Sequence, residues 1–99
     1  MEEEATTCGL LDLRDRIDRI DQDVVRLLAS RAEVVRQVGE LKKRLGAPVM
    51  QPDRVQIVLD SRAAQGAALG LRGEVVRKIW EVLVEEACRV EEEIGARPT

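Results

Sequence analysis

The chain has no phenylalanine, no tyrosine and no histidine, and its single large aromatic is Trp80. With so few rings to fill an interior, the core must be built from Val, Leu, Ile and Ala, which suits closely packed helices better than a sandwich or a barrel. The missing histidine removes the imidazole base, the imidazole metal ligand and any Ser–His arrangement. Only two cysteines occur, Cys8 and Cys88, far apart and in no metal-binding spacing, so two free thiols in a reducing compartment and no metal site are expected. No apolar run is long enough to span a membrane, and residues 1–7 are acidic and polar, unlike a signal peptide. The expectation is a soluble, cytoplasmic protein with no membrane partner.

What the chain does carry is charge and aliphatic periodicity. A formal net charge of −3 argues against nucleic acid as the main partner. The charge is unevenly placed: residues 26–44 are mostly cationic, whereas residues 81–94 hold glutamates opposed only by Arg89. By themselves these runs are solvated helix faces of complementary sign.

Residues at alternating steps of three and four form a heptad seam: Leu10, Leu13, Ile17, Ile20, Val24, Leu27, Arg31, Val34, Val38, Leu41 and Leu45. The middle position is a permanent cation. Burying an unpaired guanidinium is costly, so Arg31 calls for an anionic ligand or a buried acidic partner. The seam predicts a helix from Leu10 to Leu45, about 50 Å long at ~1.5 Å per residue. Gly46 and Pro48 end it, and Pro52 opens a second helix running to Gln65 with Val55, Val58, Leu59 and Arg62 or Ala63 inward. Gly66 and Gly70 bracket the next turn. A third helix runs from Gly73 to Ile94, with Val76, Trp80, Leu83, Ala87, Val90 and Ile94 on one face. The fold class is all-α, three helices with a long first one. The helical domain covers residues 10–94, between flexible tails at 1–9 and 95–99.

A 50 Å helix is too long for a globule of this size, whose radius of gyration is only about 13 Å. Two shorter helices cannot cover both ends of the seam, but a second copy can, so a homodimer or larger assembly is expected.

Four further polar groups interrupt the apolar faces. Arg14 and Lys42 directly follow seam positions, Arg54 lies on the first turn of the second helix, and Glu91 continues the stripe through Trp80, Val84 and Ala87. Taken singly, Arg14 and Lys42 are edge charges, Arg54 is a surface residue, and Glu91 is a partner for Arg31 across the core. Taken together, three arginines, a lysine and a carboxylate around apolar surface describe a pocket for a small dianion. Arg31 and Lys42 lie three turns apart, roughly 16 Å along the axis, within reach of one ligand. Arg14 and Lys42 are about 42 Å apart, so Arg14 can join such a site only from another protomer.

The chain resembles the all-helical chorismate mutases, and more particularly their short relatives, the isochorismate-pyruvate lyases and the 4-amino-4-deoxychorismate mutases. The residues that carry the likeness are Leu13-Arg14-x-x-Ile17-x-x-Ile20-Asp21, Leu27-Leu28-x-x-Arg31, Val38-Gly39-x-x-Lys42, Pro48-Val49-x-x-x-x-Arg54 and the glycine-led third helix. The resemblance implies an intertwined homodimer with two composite sites and a small dianionic substrate of the chorismate type. It implies that Arg31, and Arg14 from the partner chain, hold two carboxylates. It gives Lys42 to the ether oxygen and a carboxylate, Arg54 to the wall of the site, and Glu91 to the position from which many relatives donate to the ether oxygen through glutamine.

Three positions depart from the common pattern: Gln51 stands where many members have aspartate, Val55 where they have glutamate, and Ala87 where they have serine. These leave the carboxylate clamps intact and alter the side that reads the ring substituent. The Arg54-Val55 pair is a lyase feature, whereas Met50-Gln51-Pro52-x-Arg54-Val55 with Cys88-Arg89-Val90-Glu91 is closer to the aminodeoxychorismate mutases.

The implied reaction is the Claisen rearrangement of chorismate or 4-amino-4-deoxychorismate to prephenate or its 4-amino-4-deoxy analogue. It needs no nucleophile, metal or cofactor. It needs a restricted conformer and a donor at the ether oxygen as negative charge grows there. Lys42, Glu91 and Arg31 are the expected catalytic residues. Glu91 helps only when protonated, because a carboxylate repels that oxygen. The alternatives are the lyase reaction, giving salicylate and pyruvate from isochorismate, and a non-catalytic dimeric helical adaptor in which Arg31 pairs with Glu91.

Overall fold

The structure is a computed structural model that describes residues 2–98, with side chains from residue 9 onward. All of its regular elements are helices: α1 (Glu2–Leu45), α2 (Pro52–Ala68) and α3 (Gly73–Ala96). Three helices with a long first one were expected. The first is longer than its seam implies, because residues 2–9, expected as a flexible tail, form the opening turns of α1. At the other end α3 continues through Gly95 and Ala96, also expected in a tail, and Arg97 N–H bonds Ile94 O at 3.2 Å. Residues 1 and 99, the extreme ends of the two expected tails, and the side chain of Cys8 lie outside the described residues. No helix among the described residues is long and apolar enough to cross a membrane.

Two of the breaks share one local chemistry. Gly46 has φ +65° and Gly70 has φ +86°, a conformation that costs glycine nothing and a Cβ-bearing residue a clash. Each closes the end of a helix with a pair of reversed bonds: Ala47 N–H to Lys42 O and Gly46 N–H to Lys43 O after α1, Leu71 N–H to Gly66 O and Gly70 N–H to Ala67 O after α2. This is the Schellman arrangement, and it satisfies carbonyls that the helix leaves without partners. Pro52 opens α2, where its missing N–H is no loss.

Gly66 behaves differently from the expectation. It sits inside α2, which runs to Ala68, and is buried. A Cβ added there would stand 2.5 Å from Val76 Cγ2, so the glycine lets α2 lie directly against α3.

The chain divides into two compact units, residues 1–33 and residues 34–99. In the second unit α2 packs on α3, and Val58, Val76 and Ile94 are buried. The α3 face read from the sequence is the inward one: Trp80, Leu83, Ala87 and Val90 are half-buried between Val76 and Ile94. In the first unit none of residues 9–33 is buried. Leu10, Leu13, Ile17, Ile20, Val24 and Leu27 are all exposed, Leu27 to 69%. Arg31, which interrupts this row, is half-buried and is not without a partner. The seam is therefore an uncovered apolar row within one chain, not an internal core.

Candidate active site

Within residues 34–99 the end of α1 is fastened to α3 at several levels. Lys43 Nζ donates to Arg97 O, and the Arg97 guanidinium lies 3.4 Å from Glu40. One turn before the buried Ile94, the Lys42 ammonium stands 2.6 Å from Glu91 Oε1 and donates to Val49 O at 2.9 Å. The two side chains are 19% and 8% exposed, so this ion pair is shielded from solvent and only weakly screened by salt. The contact is an ion pair that satisfies the buried Glu91 Oε1 electrostatically without being aligned as a hydrogen bond.

Sequence and local structure explain how these groups meet. Lys42 lies in the last turn of α1, whose carbonyl end attracts cations. Its own carbonyl accepts the Ala47 N–H that turns the chain, and the chain then brings the Val49 carbonyl back to its ammonium. Glu91 is carried by α3, one turn after Ala87 and one before Ile94. Gly39, one turn before Lys42, is buried against Glu91 and Ile94.

The other expected site residues occupy distinct places. Gln51 precedes α2 as its N-cap residue, accepts Val55 N–H through its backbone, and uses Nε2 to brace Pro48 O at 3.2 Å. Arg54 is exposed on the first turn of α2, whereas Val55 and Ala87 are half-buried. Met50, Val55, Leu59, Val84 and Cys88 line an open groove between α2 and α3, whose charged lining is mainly glutamate. Cys88 connects the groove to the ion pair. Burial pushes its thiol above the usual range, the field of Glu91 raises it further, and Lys42 opposes them. Arg14, exposed, and Arg31, half-buried, belong to residues 1–33.

The structure thus brings Lys42 and Glu91 together. Lys42, read from the sequence as an edge charge or a site cation, is an ion-pair partner of Glu91. Two participants escaped sequence reasoning. The Val49 carbonyl has no side-chain signal at all. Gly39 stood within the Val38-Gly39-x-x-Lys42 motif, where its fixed spacing from Lys42 was the available clue.

Comparisons with known proteins point the same way. The family model described as chorismate mutase type II matches residues 13–92. A T-protein of Enterobacter agglomerans is 36% identical over 86 residues, covering 87% of this chain and 23% of that protein. A 4-amino-4-deoxychorismate mutase of Streptomyces venezuelae is 32% identical over 85 residues, covering 86% and 82% of the two chains. A chorismate mutase of Methanocaldococcus jannaschii is 29% identical over 76 residues, 77% of each. The chain spans about a quarter of the T-protein's length and most of the other two.

Proposed function

This chain belongs to the chorismate mutase type II family, an enzyme family, and we propose that it rearranges a chorismate-type dianion, chorismate or 4-amino-4-deoxychorismate, at sites shared within a homodimer. The observation that carries the reading is the Lys42 ammonium, held in a shielded position by Val49 O and Glu91. A donor fixed in advance needs little reorganisation as charge develops on an ether oxygen, so it lowers the barrier more than it tightens ground-state binding.

The rearrangement is unimolecular: one C–O bond breaks as one C–C bond forms, and the site's task is restriction and electrostatics. In this reading Arg31 and the partner chain's Arg14 grip the two carboxylates, and Arg54 closes the side of α2. Lys42 donates to the ether oxygen from the position in which Val49 O and Glu91 hold its ammonium. Gln51, Val55 and Ala87 face the ring substituent. The similarity to relatives named 4-amino-4-deoxychorismate mutase over most of their length supports the amino-substituted substrate as a candidate beside chorismate.

The dimer is supported by the uncovered seam. An aliphatic row from Leu10 to Leu45, exposed along α1, is an association surface rather than a solvent face.

Incubating the purified protein separately with chorismate, 4-amino-4-deoxychorismate and isochorismate, with products followed by mass spectrometry, tests the proposal. Rearrangement of either of the first two is expected. Salicylate and pyruvate from isochorismate, without turnover of the others, replaces the mutase reading with the lyase. No turnover of any substrate removes the enzymatic reading.

A further inference from the structure

We propose that Gly39 is a positioning residue for Lys42: its missing side chain lets α1 approach α3 closely enough to set the ammonium beside Glu91. This rests on the reading of Lys42 as the donor. A Cβ built on Gly39 would stand 3.0 Å from Ile94 Cδ1, 3.2 Å from Glu91 Cα and 3.3 Å from Glu91 Cγ. The second of these atoms is backbone, so it cannot swing aside. The first belongs to a side chain only 3% exposed, which has no solvent to retreat into. Any side chain at 39 therefore shifts α1 against α3 by a few tenths of an ångström, at the level of Glu91 itself.

That level matters because of helical geometry. Lys42 follows Gly39 by three residues, so the two share a face of α1 one turn apart. A displacement at Gly39 is carried by a stiff helical turn to the Cα of Lys42. The ammonium is held at both ends of a short span, 2.6 Å from Glu91 and 2.9 Å from Val49 O, and it has little slack. Glycine inside a helix is unfavourable by propensity, so local helix energetics alone would favour alanine here. Gly39 is explained by what crosses it.

Gly66 provides an internal contrast. It too permits a close helix crossing, between α2 and α3, but the three atoms nearest its would-be Cβ all belong to Val76, an apolar side chain. Room at Gly66 serves packing. Room at Gly39 serves packing and the placement of a charged group.

Gly39→Ala is the direct test, with kcat, KM and Tm measured beside wild type and turnover recorded well below both melting points. The expected result is a roughly tenfold fall in kcat with KM changed by less than about threefold, since a small misplacement of a catalytic group affects the transition state most. Wild-type kcat in folded Gly39→Ala protein overturns the proposal, as does a loss that merely follows the unfolded fraction. Should Gly39→Ala not fold, Gly39→Ala combined with Ile94→Val removes the Cδ1 contact and keeps those with Glu91. The kcat of this double variant should still be low, and a wild-type value overturns the proposal. If neither variant folds, the space at 39 is required for folding and not for placing the ammonium, and the proposal fails.

The geometry can also be read without turnover. A double-mutant cycle in Tm between Lys42→Met and Glu91→Gln measures the coupling of the pair. That coupling should shrink in a Gly39→Ala background, and unchanged coupling overturns the positioning role. Inactivity of the wild type toward every chorismate-type substrate would remove the functional reading, while the cycle would still decide the role of Gly39 in placing Lys42.

Discussion

Residues 34–99 and residues 1–33 draw on the same aliphatic side chains and use them in opposite ways. The larger unit encloses Val58, Val76 and Ile94 and shields an ion pair between them and the end of α1. The smaller one is a stretch of helix with no buried residue among positions 9–33 and a row of exposed leucine, isoleucine and valine. The lesson is that hydrophobic periodicity shows which face of a helix is covered in the finished protein but does not show by what. A lone helix is marginal in water even with good propensity, so in the proposed dimer residues 1–33 are the part whose stability comes from association. It also carries Arg14 and Arg31, the two expected carboxylate clamps. The larger unit holds Lys42 and Glu91.

The strongest way to break this division of labour is Lys42→Met. Removing the ammonium strands a buried carboxylate, which should cost roughly 3 kcal/mol or more of stability. It should also lower kcat by about a hundredfold or more, as loss of a preorganised donor does. Calorimetry and steady-state kinetics measure the two effects. A variant that keeps wild-type kcat places the donor elsewhere.

Mixing Arg14→Ala protein with Arg31→Ala protein probes the other unit. Each alone should be nearly inactive, and subunit exchange should restore part of the activity, because one site of a mixed dimer escapes both defects. Absence of recovery, with exchange proven by native mass spectrometry, means that the sites are not shared between chains.

Glu91→Gln sharpens the contrast within the larger unit, because its two effects should run in opposite directions. Replacing the carboxylate removes the ion pair with Lys42 and should lower stability by about 1–3 kcal/mol. The amide donates to an ether oxygen without bringing negative charge, so kcat/KM near neutrality should be retained or raised. A loss of both stability and activity argues that Glu91 is only a structural anchor for Lys42.

The smallest effect concerns Cys88. Its thiol is raised by burial first and by Glu91 second, so the reactive thiolate is scarce at neutral pH and becomes abundant only above the usual thiol range. In a Cys8→Ser background, alkylation by iodoacetamide at pH 8 should be slower than for an unperturbed thiol and should rise at higher pH. Adding Glu91→Gln removes one raising influence and should speed the reaction modestly. An unchanged rate would show that the field of Glu91 does not reach the groove.

Much of the architecture is local chemistry and is therefore written in residue order. The three-four rhythm of α1 and α3, the Gly46 turn, Pro52 at the start of α2 and the Gly70 turn depend on neighbours within a few residues, and the sequence alone determined them. The same holds for the candidate cations and for Glu91, each visible as a polar residue interrupting or edging an apolar face. The start of α1 was less legible because residues 2–9 lack the apolar rhythm, and Gly66 was misplaced because glycine marks a turn and a close helix crossing with the same letter. Only the tertiary structure decided that Gly66 lies under Val76, that Glu91 pairs with Lys42, and that Val49 lends its carbonyl to the ammonium. Those outcomes depend on how closely one helix crosses another, a distance set by which side chains are absent at the crossing, and no periodicity along a single helix records it.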